Sequence, residues 1–150
     1  VYKRQEYGLI KTLIRKINTD LDFDLFLIVS GTHFNSNFGE TINEIFEDFE
    51  ERNKIITIKN QYDEGDEMGF KTAEIIKSVT SVLKQINPEY FVVLGDRYES
   101  FGAASAAHFL GIKNVHLHGG ETSLGAIDEK LRHAISQLSY YHFTSAETHK

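Results

Sequence analysis

Between Tyr90 and His133 two apolar runs each stop abruptly in glycine and charge. Tyr90 to Leu94 ends in Gly95-Asp96-Arg97, and Ile112 to Leu117 ends in His118-Gly119-Gly120-Glu121. A segment rich in Gly, Ala and Ser separates them, and its composition suits a closely packed helix over 98–110. Two short apolar runs joined through a helix form a strand–helix–strand unit, whose strands are parallel because a crossover connects them. Parallel strands bring their carboxyl ends to one edge of the sheet, which is where open α/β sheets bind ligands. The two clusters of glycine and charged residues are therefore expected at one edge.

The same alternation runs through the rest of the chain. Helices are expected at 6–18, 41–52, 67–86 and 128–138, with inward stripes of Leu9, Leu13, Ile14 and Ile17; Ile42, Ile45, Phe46 and Phe49; Ile75, Val79, Val82 and Ile86; and Leu131, Ile135 and Leu138. Strands are expected at 24–30, 54–58, 90–94, 112–117 and 140–144, and Asn87-Pro88 ends the long third helix. This order predicts an α/β, doubly wound, mostly parallel Rossmann-like sheet. Val1 to Gln5 is too short and polar for the opening strand of such a sheet, so that first strand is expected to be missing or degraded. Ser145 to Lys150 reads as the first turn of a further helix, so residues 1–150 are expected to be one domain truncated at both ends.

At 150 residues the chain can bury a real core. Its net charge of −6 gives no basic footprint for nucleic acid, and its lack of cysteine excludes disulfides and thiolate metal sites. No run is long enough for a membrane helix and no signal peptide is evident, so a cytoplasmic location is expected.

Each charged cluster carries two readings. Asp96 and Glu99 suit an N-cap and its capping-box partner, with Arg97 solvated; equally, Asp96 suits a general acid or base and Arg97 a phosphate contact. His116 and His118 have the i, i+2 spacing that shares a strand face, and with Glu121 could be imagined around a metal. The alternative is a hydrogen-bonded core histidine at 116 with His118 facing the site, and no metal is expected. Gly119-Gly120 suits either a tight turn or close approach of a ligand. Glu121, an acid on a glycine loop, is the more suggestive of function. Asp128 and Glu129 suit the first turn of a helix by charge alone, and Arg132 and His133 follow one turn later. His33, after Gly31-Thr32, is a further candidate at the same edge.

Taken together, Gly95-Asp96-Arg97-Tyr98-Glu99, His118-Gly119-Gly120-Glu121 and Asp128-Glu129-Lys130-Leu131-Arg132-His133 resemble the hydrolysing UDP-N-acetylglucosamine 2-epimerases of bacterial sialic acid synthesis. Gly31-Thr32-His33 with Phe38-Gly39-Glu40-Thr41 looks like that family's second-strand loop, and Glu6-Tyr7-Gly8 like the tail of its first glycine-rich loop. The resemblance implies the amino-terminal half of a glycosyltransferase-B-type fold, with the carboxyl-terminal nucleotide-binding domain absent. It implies conversion of UDP-N-acetylglucosamine and water to N-acetylmannosamine and UDP through a 2-acetamidoglucal, with no cofactor and with further copies of the chain as partners in a full-length protein. By position it makes Asp96, Asp128, Glu121 and His118 catalytic candidates, the last standing where some relatives have glutamate. Arg97, Gly119, Gly120, Arg132, His133, His33 and Arg4 become candidate substrate contacts, although the flanks of Arg4 depart from the family pattern. The same motifs would serve a 2,4-diacetamido sugar nucleotide in legionaminic acid synthesis. A glycosyltransferase of this fold, a metal hydrolase using His116, His118 and Glu121, and a non-catalytic binding domain are the competing readings.

Overall fold

The computed structural model describes residues 5–30, 41–49, 54–59, 65, 67–120 and 127–147. Arg4, His33 and Glu121 lie outside them, as do residues 1–4 of the Val1 to Gln5 segment on which the degraded first strand is expected; Gln5 opens the first helix. The chain divides into two compact units, residues 1–59 and 60–150.

In the first unit, helices Gln5–Asn18 (α1) and Thr41–Asp48 (α2) accompany strands Leu27–Ser30 (β1) and Ile55–Ile58 (β2). The strands are parallel, with Leu27 opposite Ile55 and Ser30 opposite Ile58. Tyr7, Ile14, Val29, Ile45, Phe49 and Ile55 form one buried cluster, which Ile10, Leu25, Leu27 and Phe46 flank. The buried stripe of α1 is thus Tyr7, Ile10 and Ile14, whereas Leu9 and Leu13 of the expected stripe are exposed. Both sets repeat at three to four residues, so periodicity alone could not choose between them. Glu6-Tyr7-Gly8, read as part of a loop motif, lies inside α1. Asp48 closes the unit from α2 by accepting the Tyr7 hydroxyl at 3.1 Å and an Arg15 N–H at 2.9 Å. Burial, and then the Asp48 carboxylate, push the Tyr7 phenol up to about 12.

The second unit holds helices Met68–Ile86 (α3), Tyr98–Phe109 (α4) and Ile127–Leu138 (α5) and strands Tyr90–Leu94 (β3), Lys113–Leu117 (β4) and Tyr141–Phe143 (β5). The sheet is parallel in the order β3-β4-β5, with Val93 opposite His116 and His116 opposite His142. The long helix ends where Asn87 takes a left-handed conformation at φ 49° and donates its N–H to the Leu83 carbonyl at 2.8 Å, ahead of Pro88. Its buried stripe is Ile75, Val79 and Leu83: the first two are as expected, and Leu83 takes the buried place expected of its neighbour Val82.

Small residues make α4 the centre of this unit. Gly102, Ala104, Ser105, Ala106 and Ala107 are buried, and α4 packs on α3, α5, β3 and β4. The approach to α3 is so close that a Cβ on Gly102 would lie 2.9 Å from Ile75 Cγ2 and 3.2 Å from the Thr72 carbonyl. Gly102→Ala should therefore overpack this contact and cost roughly 1–3 kcal/mol, even though alanine is the better helix former. Urea unfolding should show a lower midpoint with an unchanged slope; a midpoint at or above that of the parent would mean the α3–α4 contact yields freely.

Candidate active site

Strand β3 ends at Leu94, and Gly95 turns the chain with φ +82°, a conformation that a side chain would strain. The turn is still tied to the sheet, because the Gly95 N–H donates to the Leu117 carbonyl at 3.1 Å. Asp96 follows at the carboxyl edge. Its Oδ2 accepts from the Arg132 guanidinium on α5, a pair in which the Asp96 side chain is 23% exposed and that of Arg132 only 7%. Arg132 is therefore the buried charge and Asp96 its outlet toward solvent.

This arrangement corrects the capping-box reading. The N-cap of α4 is Arg97 rather than Asp96, and it makes no side-chain cap. Glu99 instead accepts from Arg97 through two bonds of 3.1 and 2.9 Å. Burial drives the outcome: a guanidinium as enclosed as that of Arg132 needs a carboxylate more than a helix end needs a side-chain cap.

On β4 the side chains of Asn114 and His116 are buried at 1% and 0% exposure. Being two residues apart, they share one face of the strand. Asn114 Nδ2 donates to the carbonyls of Ala104 in α4 and Leu138 in α5, at 2.9 and 3.2 Å. His116 Nε2 lies 2.8 Å from the Gly95 carbonyl and Nδ1 lies 3.0 Å from Ser136 Oγ on α5. His118 does not extend this face. It stands one residue past the strand, with φ +61°, and its N–H donates to the Phe143 carbonyl at 2.8 Å. The period-two rule holds only inside a strand, so the reading of His116 and His118 on one face gives way to its alternative, a hydrogen-bonded core histidine at 116, with Asn114 sharing its face.

Each glycine of the following pair has its own task. Gly120 adopts φ +80°. At Gly119 a Cβ would come within 3.0 Å of both His116 Nδ1 and Ser136 Oγ, so the space there belongs to those side chains. Beyond them Gly119, Gly120, His133, Ser136, Gln137, Ser139, His142, Phe143 and Thr144 line a cavity of about 680 Å³, a size suited to a small molecule. Asp128 is exposed in the first turn of α5, four residues and one turn before Arg132.

The described candidates are thus distributed along one edge of the β3-β4-β5 sheet. Asp96 meets Arg132, Arg97 meets Glu99, Gly119, Gly120 and His133 line the cavity, and His118 closes the β4–β5 ladder. Asn114, Ser136 and His142 are not singled out by the sequence patterns. The signal for the first was present, as a lone amide in an apolar run at even spacing from a histidine. Ser136 and His142 gave none, since their roles depend on what lies opposite them.

The family model described as UDP-N-acetylglucosamine 2-epimerase matches residues 15–150, and the chain belongs to that family. It is 38% identical over 147 residues to the UDP-N,N'-diacetylbacillosamine 2-epimerase (hydrolyzing) of Legionella pneumophila, covering 98% of this chain and 39% of that protein. It is 36% identical over 148 residues to the GDP/UDP-N,N'-diacetylbacillosamine 2-epimerase (hydrolyzing) of Campylobacter jejuni, covering 98% of this chain and 38% of that protein. The chain therefore spans about two fifths of the length of these relatives. The crystal structure of UDP-GlcNAc 2-epimerase from Neisseria meningitidis bound to UDP-GlcNAc matches with a TM-score of 0.77 at 23% identity, over 93% of this chain and 37% of that one. The fold is the Rossmann-like half of a glycosyltransferase-B-type architecture.

Burial holds the His116 imidazole below its ordinary value of 6.5; the Gly95 hydrogen bond acts the other way, and His142 and Arg132 add to the depression while Asp96 opposes it. The unfolded chain then binds the proton more tightly than the folded one. Stability should fall as pH drops below about 6.5 and level off only below the depressed folded value. Urea midpoints between about pH 8 and pH 5 should show this decline, and it should be smaller in His116→Gln. An identical decline in the variant would assign it to other groups.

Proposed function

We propose that an enzyme carrying this chain is a hydrolysing 2-epimerase of a UDP-linked 2-acetamido sugar. The observation that carries the reading is Asp96, fixed by the buried Arg132 at the carboxyl edge yet open to solvent. The reaction removes the proton at C2 while UDP leaves C1, then adds water at C1 and a proton to the opposite face of C2. Every step moves a proton, so it needs positioned acid–base groups rather than a redox carrier. Asp96 and Asp128 are the described carboxylates offered for this, with Glu121 on the glycine loop as a third and His118 as a further proton-transfer group. The N-terminus of α4 offers backbone N–H groups to a diphosphate, and Arg97 and His133 remain candidate contacts for it.

The two hydrolysing relatives named above favour a UDP-2,4-diacetamido sugar over UDP-N-acetylglucosamine as the substrate. The reaction would run in the cytoplasm. Among the described residues no helix is long and apolar enough to cross a membrane.

An enzyme of the relatives' full length carrying this chain should be given each sugar nucleotide separately in deuterated water. UDP release with deuterium at C2 of a 2-epimeric free sugar is the expected result, faster from the diacetamido substrate. Retention of the C2 proton, or transfer of the sugar to an acceptor, would instead indicate a glycosyltransferase. Asp96→Asn should lower kcat by about 10²- to 10⁴-fold per folded molecule, and a kcat near that of the parent would remove Asp96 from the acid–base roles. The chain alone should release no free sugar, because an elimination needs the leaving group and the C2 proton enclosed together and this chain offers one wall of that enclosure. Robust turnover by residues 1–150 would overturn the two-domain mechanism.

A further inference from the structure

We propose that His116 is a positioning residue for the reaction: as the neutral Nε2–H tautomer it holds the Gly95 carbonyl and so sets where Asp96 presents its carboxylate. The inference rests on the acid–base reading of Asp96 given above. It starts from an accounting of donors and acceptors. A carbonyl oxygen only accepts, so at 2.8 Å from the Gly95 oxygen Nε2 carries the hydrogen. In a neutral ring Nδ1 is then bare and accepts the hydroxyl of Ser136 at 3.0 Å. The ring is fully buried, so rotation would strand both nitrogens.

The location gives these bonds a consequence. Gly95 is the residue before Asp96, and its φ of +82° is held from both ends: its N–H by Leu117 and its carbonyl by His116. The Gly95 carbonyl belongs to the same peptide as the Asp96 N–H, so tilting that plane swings the Asp96 side chain. Ser136 lies four residues after Arg132 on α5, so the ring's other bond reaches the helix that carries the partner of Asp96. His116 thus ties the turn bearing the carboxylate to the helix bearing its arginine. The neighbouring charged and titratable groups are His142, opposite it on β5, Arg132 on α5 and Asp96 itself. Gly119 completes the clamp by leaving the room that its own Cβ would take.

Two substitutions separate the two bonds. Glutamine places its Nε2 as many bonds from the backbone as the histidine Nε2, so His116→Gln keeps a donor for Gly95. Asparagine matches Nδ1 only, so His116→Asn keeps the Ser136 link and loses Gly95. In an enzyme of the relatives' full length carrying this chain, His116→Asn should lower kcat by about 10-fold or more with KM nearly unchanged, and His116→Gln should recover most of that loss. Equal kcat in both variants and the parent, with Asp96→Asn inactive, would overturn the positioning role and leave the acid–base reading of Asp96 standing. Full turnover by Asp96→Asn would overturn both. The ring tautomer is read on the unsubstituted enzyme by imidazole nitrogen shifts, so the inference can be tested even where a variant does not fold. An Nε2-protonated ring is expected, and an Nδ1-protonated neutral ring, which could not donate to Gly95, would overturn it.

Discussion

A central strand that buries an amide and an imidazole must find partners for their nitrogens, and the second unit is arranged around that need. Asn114 and His116 occupy positions on β4 that apolar residues would fill at less risk, since an unmet buried polar group costs about 1–3 kcal/mol. Their partners are backbone carbonyls of α4, α5 and the β3 turn, together with the hydroxyl of Ser136. Hydrophobic contact alone would let these elements slide, because it has no direction. The hydrogen bonds fix how α4, α5 and the Gly95 turn meet the strand, and side chains along the edge inherit that placement. The run of small residues in α4 serves the same end, since carbonyls can be reached from β4 only if the helix lies close.

Much of this architecture was readable in the sequence. Tyr90–Leu94 emerged with the expected limits because an apolar run is bounded sharply by Pro88 before it and Gly95 after it. Leu27–Ser30 is shorter than the expected 24–30, since Leu25 and Phe26 extend the apolar run but the ladder with β2 begins only at Leu27, opposite Ile55. The parallel pairing followed from the helix between each two strands. The inward faces were less legible. In α1 and α3 two overlapping apolar stripes compete, and which one is buried depends on the neighbour it meets rather than on the helix.

The site was legible as a set of residues and less so as a set of contacts. Asp96, Arg132 and Gly119 all stand out in the sequence, but for other partners than they have. A carboxylate at a helix start reads locally as a cap, and only the fold brings a buried guanidinium from 36 residues away. A glycine pair reads as room for a ligand, and at Gly119 the room is taken by His116 and Ser136. Local signals identify residues with constrained environments; they do not say whether the constraint comes from within the molecule or from what it binds.

The Asp96–Arg132 pair shows why those two sources are hard to separate at this edge. Removing the carboxylate charge takes the Asp96 partner from Arg132, buried at 7% side-chain exposure, and breaking a buried pair costs up to roughly 3–5 kcal/mol. A lost N-cap would cost only about 1 kcal/mol. A large stability loss on replacing Asp96 is therefore what the ion pair alone would produce, and it does not bear on catalysis. The chemistry must be judged from turnover per folded molecule. The proposed acid–base role is compatible with the ion pair, because the Asp96 side chain keeps 23% exposure while its Oδ2 is held by Arg132. An acid–base group anchored through one oxygen reaches its substrate with little freedom left to lose, which is the condition that positioned proton transfer requires.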